Sequence, residues 1–203
     1  MLNIAVLVSG GGTNLQALLD AQTSGKLVSG RISLVVANKE GAFALTRAQE
    51  AGVKTAVLAK QREESPHSYG LRLVALLQEH QTHMIVMAGF MLIVAPCVTN
   101  AFPDRILNVH PSLIPSFCGE GFYGLRVHEA ALAKGVKVTG ATVHLVNDIP
   151  DGGRILAQKA VEVLEDDTPE TLQRRVMEQA EWLLLPQEAE KLAEKLARKL
   201  SEN

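Results

Sequence analysis

A short, mostly apolar run, Asn3-Ile-Ala-Val-Leu-Val-Ser9, opens directly onto Gly10-Gly11-Gly12-Thr13-Asn14, and Leu15, Leu18, Leu19 and Ala21 then recur at helical spacing. A run too short for an ordinary helix suits a strand buried on both faces of a parallel sheet. The glycines therefore join a strand's end to a helix's start. Such a junction is an anion site in waiting: residues without a Cβ let backbone N–H groups approach closely, and the helix dipole favours negative charge. The Thr13 hydroxyl and Asn14 amide add donors. No Gly-Lys-Ser/Thr follows, and no glycine stands near Gln16 to complete Gly-x-Gly-x-x-Gly, so neither a Walker loop nor a dinucleotide fingerprint is present. A mononucleotide phosphate fits this loop; a tight turn without ligand is the competing reading.

The same pattern repeats along the chain. Arg31 to Ala37 reads as a second buried strand, Ala42, Leu45 and Ala48 as a helix stopping at Gly52, and Val53 to Leu58 as a third strand. This succession predicts an open parallel sheet with right-handed crossovers and ligands beyond the carboxyl ends of its strands. Lys60 to Pro66 is polar and turn-forming, Tyr69 to His80 is helical, and Met84 to Ala88 is another strand. The following Met91, Leu92, Ile93 and Val94 either line a pocket for a flat heterocycle or pack in the core. Ile106 to Val109 is the next strand. Residues two apart on a strand share a side, so Asn108 and His110 face one volume. Ile114-Pro115 is a candidate cis bond that local sequence leaves open.

Phe117 to Gly124 is an aromatic, glycine-rich loop, and Val127 to Gly135 is a short helix containing His128. Val138 to Val146 alternates, Asn147 to Gly153 turns, and Ile155 to Ala157 returns, which predicts two antiparallel strands joined by a carboxylate-bearing loop. Asp148 reads as a turn residue. Thr168-Pro169-Glu170 starts a helix running towards Trp182 and Pro186, and Gln187 to Leu200 is a separate amphipathic helix. The expected organisation is one domain over 1–187 and a helical tail over 188–203.

With 203 residues, 47% of them hydrophobic, one sizeable core can form. A net charge of -2 gives no bulk basic field for nucleic acid or an anionic membrane. No apolar run approaches the ~20 residues of a membrane span, and no cleavable leader is legible, so a cytoplasmic location is expected. Cys97 and Cys118 read as structural thiols, and His67, His80 and His83 as solvated residues; no metal-ligand spacing is present.

Asn108, His110 and Asp151 are then the chemistry-bearing set: an amide, an imidazole and a carboxylate at a sheet end suit acyl transfer. Ser9-Gly10-Gly11-Gly12-Thr13-Asn14-Leu15, Ala88-Gly89-Phe90-Met91, Asn108-Val109-His110-Pro111-Ser112-Leu113-Ile114-Pro115 and Asp151-Gly152-Gly153 together resemble the phosphoribosylglycinamide formyltransferase family, in its order and from Asn3 to about Pro186. The resemblance implies a Rossmann-like α/β fold, an open, mostly parallel twisted sheet with helices on both faces and antiparallel strands near the C-terminal half. It implies formyl transfer from 10-formyltetrahydrofolate to the amine of 5-phosphoribosylglycinamide, with no metal, by a monomer or homodimer. On the matching positions, Asn108 and a protonated His110 donate to the oxyanion, and Asp151 raises the histidine pKa and moves protons. Gly12, Thr13, Asn14 and Glu181 hold the ribonucleotide; Met91, Leu92, Ile93, Val94 and Asn108 hold the folate. His144 either supports the carboxylate or is structural.

Three positions depart from the family's pattern. Leu92 and the Ser65-Pro66-His67-Ser68 segment stand where relatives often carry arginines, which puts the hold on the folate tail in question, and Glu181-Trp182 replaces the usual Glu-His. The Asn-x-His…Asp set also occurs in formyltetrahydrofolate deformylase, where water replaces the amine. That enzyme usually has a further N-terminal domain, whereas this chain opens at its first strand. A catalytically silent nucleotide or folate binder is the third reading, disfavoured because binding alone needs no such trio.

Overall fold

The computed structural model describes residues 1–202. Its strands are β1 (Leu2–Val8), β2 (Gly30–Ala37), β3 (Lys54–Val57), β4 (Met84–Met87), β5 (Ile106–His110), β6 (Val138–Leu145) and β7 (Ile155–Glu162). The helices are α1 (Thr13–Thr23), α2 (Phe43–Glu50), α3 (Pro66–Glu79), α4 (Pro96–Ala101), α5 (Leu125–Lys134), α6 (Pro169–Val176) and α7 (Trp182–Ser201), with a π-helical turn (Met177–Glu181) between the last two. One sheet of order β3-β2-β1-β4-β5-β6-β7 holds all seven strands. β1 to β5 run parallel and β6 pairs antiparallel with both β5 and β7, as expected from the alternation before and after the Asp151 turn.

Strand alternation divides the core. Ile4, Val6 and Val8 of β1 join one layer with Leu15 and Leu18 of α1, Leu172 and Val176 of α6, and Leu185 and Ala189 of α7. Ala5 and Leu7 face the opposite layer with Tyr69, Leu73 and Leu77 of α3 and Val98 of α4. β1 is thus covered on both faces, which is why its sequence is apolar without alternation. Each such fully buried aliphatic side chain contributes about 1.5–3 kcal/mol.

Strand order reverses at β1: the chain moves outward one way through β2 and β3, then crosses back to place β4 on the other side of β1. Loops leaving the carboxyl ends of β1 and β4 diverge there and leave a crevice. The glycine loop and the Gly89–Ala95 segment form its two lips, and the Met91 N–H donates to Ser9 Oγ across it at 2.8 Å.

Local chemistry moves three boundaries away from the sequence expectation. α3 starts at Pro66 because Ser65 caps it, its side chain accepting from the Ser68 N–H at 3.1 Å. α4, which the sequence reading did not anticipate, likewise has proline at its first position. Pro186 does not separate two helices: α7 runs through it to Ser201. A mid-helix proline costs about 3 kcal/mol, and burial of Leu185, Ala189, Leu192 and Ala193 offsets it. Residues 188 onward thereby reach the main core through Ala189, Leu192 and Ala193. Among the described residues no helix is long and apolar enough to cross a membrane.

The packing of α7 gives a paired prediction. Leu185→Ala, at a fully buried position, should lower the unfolding free energy by about 2–5 kcal/mol, measured by urea denaturation. Leu183→Ala, at a 47% exposed position two residues away, should shift it by no more than about 0.5 kcal/mol.

Candidate active site

Asp151 is the hub of the polar cluster at the carboxyl end of β5. Its Oδ2 accepts the Gly119 N–H at 2.9 Å and lies 3.4 Å from His110 Nδ1; its Oδ1 lies 3.5 Å from both Asn108 Nδ2 and His144 Nε2. The carboxylate reaches this point on a tight turn. Asp151 itself has φ 53°, and a Cβ on Gly153 would stand 1.7 Å from the Leu145 carbonyl oxygen, so only glycine lets the loop lie against β6. Asn108 pairs with His144 across β5 and β6, and its Nδ2 lies 3.2 Å from His144 Nε2. His144 Nδ1 donates to the Leu145 carbonyl at 2.9 Å, and its Nε2 stands between the Asn108 amide and the Asp151 carboxylate.

His110 is nearly closed off from solvent, and its Nε2 lies 2.8 Å from the Phe117 carbonyl. Both ring nitrogens therefore face oxygen acceptors. Burial nevertheless holds its pKa below the usual histidine value, outweighing the upward pull of Asp151 and of the Phe117 carbonyl, with His144 adding to the depression. Asp151 acts on this histidine in the expected, raising direction, but desolvation is the larger effect and the protonated state expected of His110 is not its resting one. For Asp151 burial is the largest single influence and pushes upward. The His144 hydrogen bond, the His110 charge and the Gly119 N–H together bring it below its ordinary value. At neutral pH the resting site pairs an ionised carboxylate with a mostly neutral imidazole.

Around this hub runs the Ser112–Gly124 loop, entered through a cis Ile114-Pro115 bond. Phe117, Gly119, Gly121 and Gly124 all have positive φ, and Ser112 Oγ donates to the Ser116 carbonyl. Sequence reasoning missed the backbone groups this loop contributes, the Phe117 carbonyl and the Gly119 N–H. It also gave His128 no role. That side chain is fully buried on α5 with neither ring nitrogen hydrogen-bonded, and burial, reinforced by the charge of His110, pushes its pKa down to about 4. The only available signal was a histidine three residues before the buried Ala131 on a short helix.

The glycine loop stands at the neighbouring strand end. Gly12, at φ 73°, precedes α1, whose first turn has no side-chain cap and no acidic residue, so its N–H groups and dipole are open to an anion. Thr13 Oγ1 lies 3.7 Å from Met177 Sδ, and Asn14 Nδ2 donates to Glu181 Oε2 at 2.6 Å, joining the loop to the π-helical turn. Burial pushes the Glu181 carboxyl up to about 7 against the lowering effect of the Asn14 amide. Asn14 Oδ1 is buried without a partner. On the other lip, Met91 and Ile93 are exposed, Leu92 is half-buried, and Val94 packs with Phe90 in the second core layer. The structure thus gathers Asn108, His110, Asp151 and His144 into one cluster, and Thr13, Asn14 and Glu181 into a second beside Gly12. Among the described residues no group of three or more His, Cys, Asp or Glu side chains is arranged to hold a metal ion.

The formyl transferase family profile matches residues 2–187. The chain is 40% identical over 175 residues to the chloroplastic phosphoribosylglycinamide formyltransferase of Arabidopsis thaliana, covering 86% of this chain and 60% of the plant protein's length. Against the phosphoribosylglycinamide formyltransferase of Escherichia coli K12 it is 37% identical over 178 residues, 88% of this chain and 81% of that one. The crystal structure of glycinamide ribonucleotide transformylase 1 from Symbiobacterium toebii superposes with a TM-score of 0.90 at 40% identity, over 96% of this chain and 89% of that one. That of phosphoribosylglycinamide formyltransferase from Bacillus halodurans gives 0.87 at 36% identity, over 95% and 96%.

Two buried groups make the site's stability pH-dependent in opposite senses. Glu181 holds its proton more tightly folded than unfolded, so its contribution is complete below 4.5 and is lost as pH rises through about 7. His128 holds its proton less tightly, so its contribution is complete above 6.5 and is lost as pH falls towards about 4. Glu181→Gln should therefore be more stable than the parent by up to about 3 kcal/mol at pH 8, a gain that disappears towards pH 4.5. His128→Asn should remove a loss of about 2 kcal/mol between pH 7.5 and pH 5; denaturant midpoints across this range read both.

Proposed function

This chain belongs to the formyl transferase family, and we propose that it transfers a formyl group from 10-formyltetrahydrofolate to the amine of 5-phosphoribosylglycinamide in purine biosynthesis. The observation that carries this reading is the convergence of Asn108, His110 and Asp151 beside a crevice one of whose lips leads into an uncapped helix N-terminus. One cluster suits acyl chemistry and the other suits a phosphate. Together they accommodate a phosphorylated amine and an acyl donor.

Attack of a neutral amine on an amide-like carbonyl creates an oxyanion and a cationic nitrogen, and the leaving nitrogen must gain a proton. Asn108 supplies an oxyanion donor: its 3.5 Å contact with Asp151 is at the limit of hydrogen bonding, so that N–H is lightly held and can turn to substrate. His110 supplies the proton-handling group. The Phe117 carbonyl occupies the acceptor position beside its Nε2, and a substrate oxygen competes for that place. Negative charge developing there favours the imidazolium that burial alone disfavours. Asp151, ionised and fixed by the Gly119 N–H, stabilises the imidazolium until it takes the proton shed by the attacking amine, which it then passes through water to the leaving folate nitrogen as the carbon–nitrogen bond breaks. His144 orients both Asn108 and Asp151.

At the second cluster the N–H groups of Gly12, Thr13 and Asn14 hold the ribonucleotide phosphate, and Glu181 accepts from its sugar hydroxyls. Folate lies along Met91, Leu92, Ile93 and Val94. Neither Pro66, spent as the first residue of α3, nor Leu92 offers a cation to its glutamate tail.

The test is to follow tetrahydrofolate release from 10-formyltetrahydrofolate with and without phosphoribosylglycinamide. Release should require the ribonucleotide; equal release without it would identify a hydrolase instead. His110→Ala should lower kcat by about 10²–10⁴-fold while ribonucleotide affinity stays within about threefold of the parent. Equal loss of both would contradict the role given to this residue.

A further inference from the structure

The glycine loop has no basic side chain of its own, yet a cation from another element is bonded to its backbone. Arg47 of α2 donates Nε–H to the Gly11 carbonyl at 2.9 Å and Nη1–H to Gln16 Oε1 at 2.9 Å, and its guanidinium carbon stands 5.0 Å from the Phe43 ring centroid. It is half-buried, and among the described residues it is the only cationic side chain hydrogen-bonded to this loop. One turn earlier on α2, the Ala44 N–H donates to the Gly10 carbonyl at 3.0 Å.

Two successive carbonyls, those of Gly10 and Gly11, are therefore turned towards α2. In a planar trans peptide the C=O and the following N–H point in opposite directions, so the Gly11 and Gly12 N–H groups are turned away from α2. Neither donates to a protein acceptor among the described residues. The loop cannot rotate towards α2 to change this: a Cβ on Gly12 would already lie 2.6 Å from Ala44 Cβ. The Gln16 contact braces Arg47 against α1, so the guanidinium bridges both helices that flank the loop.

We propose that Arg47 is a positioning residue of the phosphate subsite, holding the Gly11–Gly12 peptide with its N–H towards the anion and placing a fixed positive charge behind it. This deepens the reading of the glycine loop as the ribonucleotide's phosphate site and rests on it. Geometry and charge act together here. A lysine retains the charge but cannot make the two-armed bridge.

Steady-state kinetics of Arg47→Ala, Arg47→Lys and Gln16→Leu, with inorganic phosphate as a separate probe, test the proposal. Both Arg47 variants should raise KM for the ribonucleotide by about tenfold or more, with kcat and the folate KM within about threefold of the parent. Gln16→Leu, which frees one arm but keeps the charge, should raise the ribonucleotide KM by about threefold. Inorganic phosphate should inhibit the parent competitively with the ribonucleotide, and about tenfold more weakly in the Arg47 variants. Full rescue by lysine, an unchanged ribonucleotide KM, or a parallel fall in kcat and both affinities with a lowered melting temperature would each overturn the positioning role. Phosphate that fails to compete in the parent would overturn the phosphate reading of the loop, and the role of Arg47 with it.

Discussion

The position of β1 between β2 and β4 is the constraint on which the rest depends. A strand covered on both faces and paired on both edges cannot shift without moving its neighbours on either side. The reversal of strand order beside it opens the sheet's carboxyl edge at that point. Both lips of the crevice grow from it: the glycine loop continues β1, and the Met91 segment is held to β1 through Ser9. The Asn108–His110–Asp151 cluster lies one strand beyond β4, so it shares one rigid edge with the glycine loop and the Met91 segment.

Within that edge, burial and charge oppose each other, and the outcome differs from residue to residue. Asp151 is desolvated but collects enough donors to remain ionised, whereas His110 faces two acceptors and is still held neutral by desolvation. Glu181, with one amide donor, settles near neutrality. Hydrogen-bond partners decide the outcome for Asp151, whereas burial decides it for His110 and Glu181. Within the Asn108–His110–Asp151 cluster only the carboxylate is charged at rest, which limits the cost of keeping it dry.

Much of this was legible in the chain because the informative residues are local. The Asn3 to Ser9 run, the triple glycine and the two-residue spacing of Asn108 and His110 each announce their geometry over a few positions, and the sheet follows from their repetition. Asp151 could be placed only because the antiparallel return after β6 brings its loop back to β5. What escaped depends on contacts distant in sequence. The depression of His110 needs the Phe117–Gly124 loop folded over it, the burial of His128 needs α5 docked, and the grip of Arg47 on Gly11 joins residues in different helical units. The continuity of α7 through Pro186 was hidden for another reason: proline is a local signal to stop, and here tertiary burial overrides it.

The π-helical turn at Met177–Glu181 has a consequence of phase. Leu172, Val176 and Ala180 are buried at steps of four residues; the next buried core position, Leu185, comes after a step of five, and Ala189 and Ala193 resume the steps of four. In an uninterrupted α-helix each residue turns the face by about 100°, so one extra residue would swing everything after Ala180 out of the core. The wider turn absorbs that residue, and Glu181 is the one that falls at the skip, facing Asn14. The glutamate and the packing stripe are thus geared together. Loss or gain of a single position there would leave either the carboxylate or the leucines facing the wrong way, even with every side chain chemically intact.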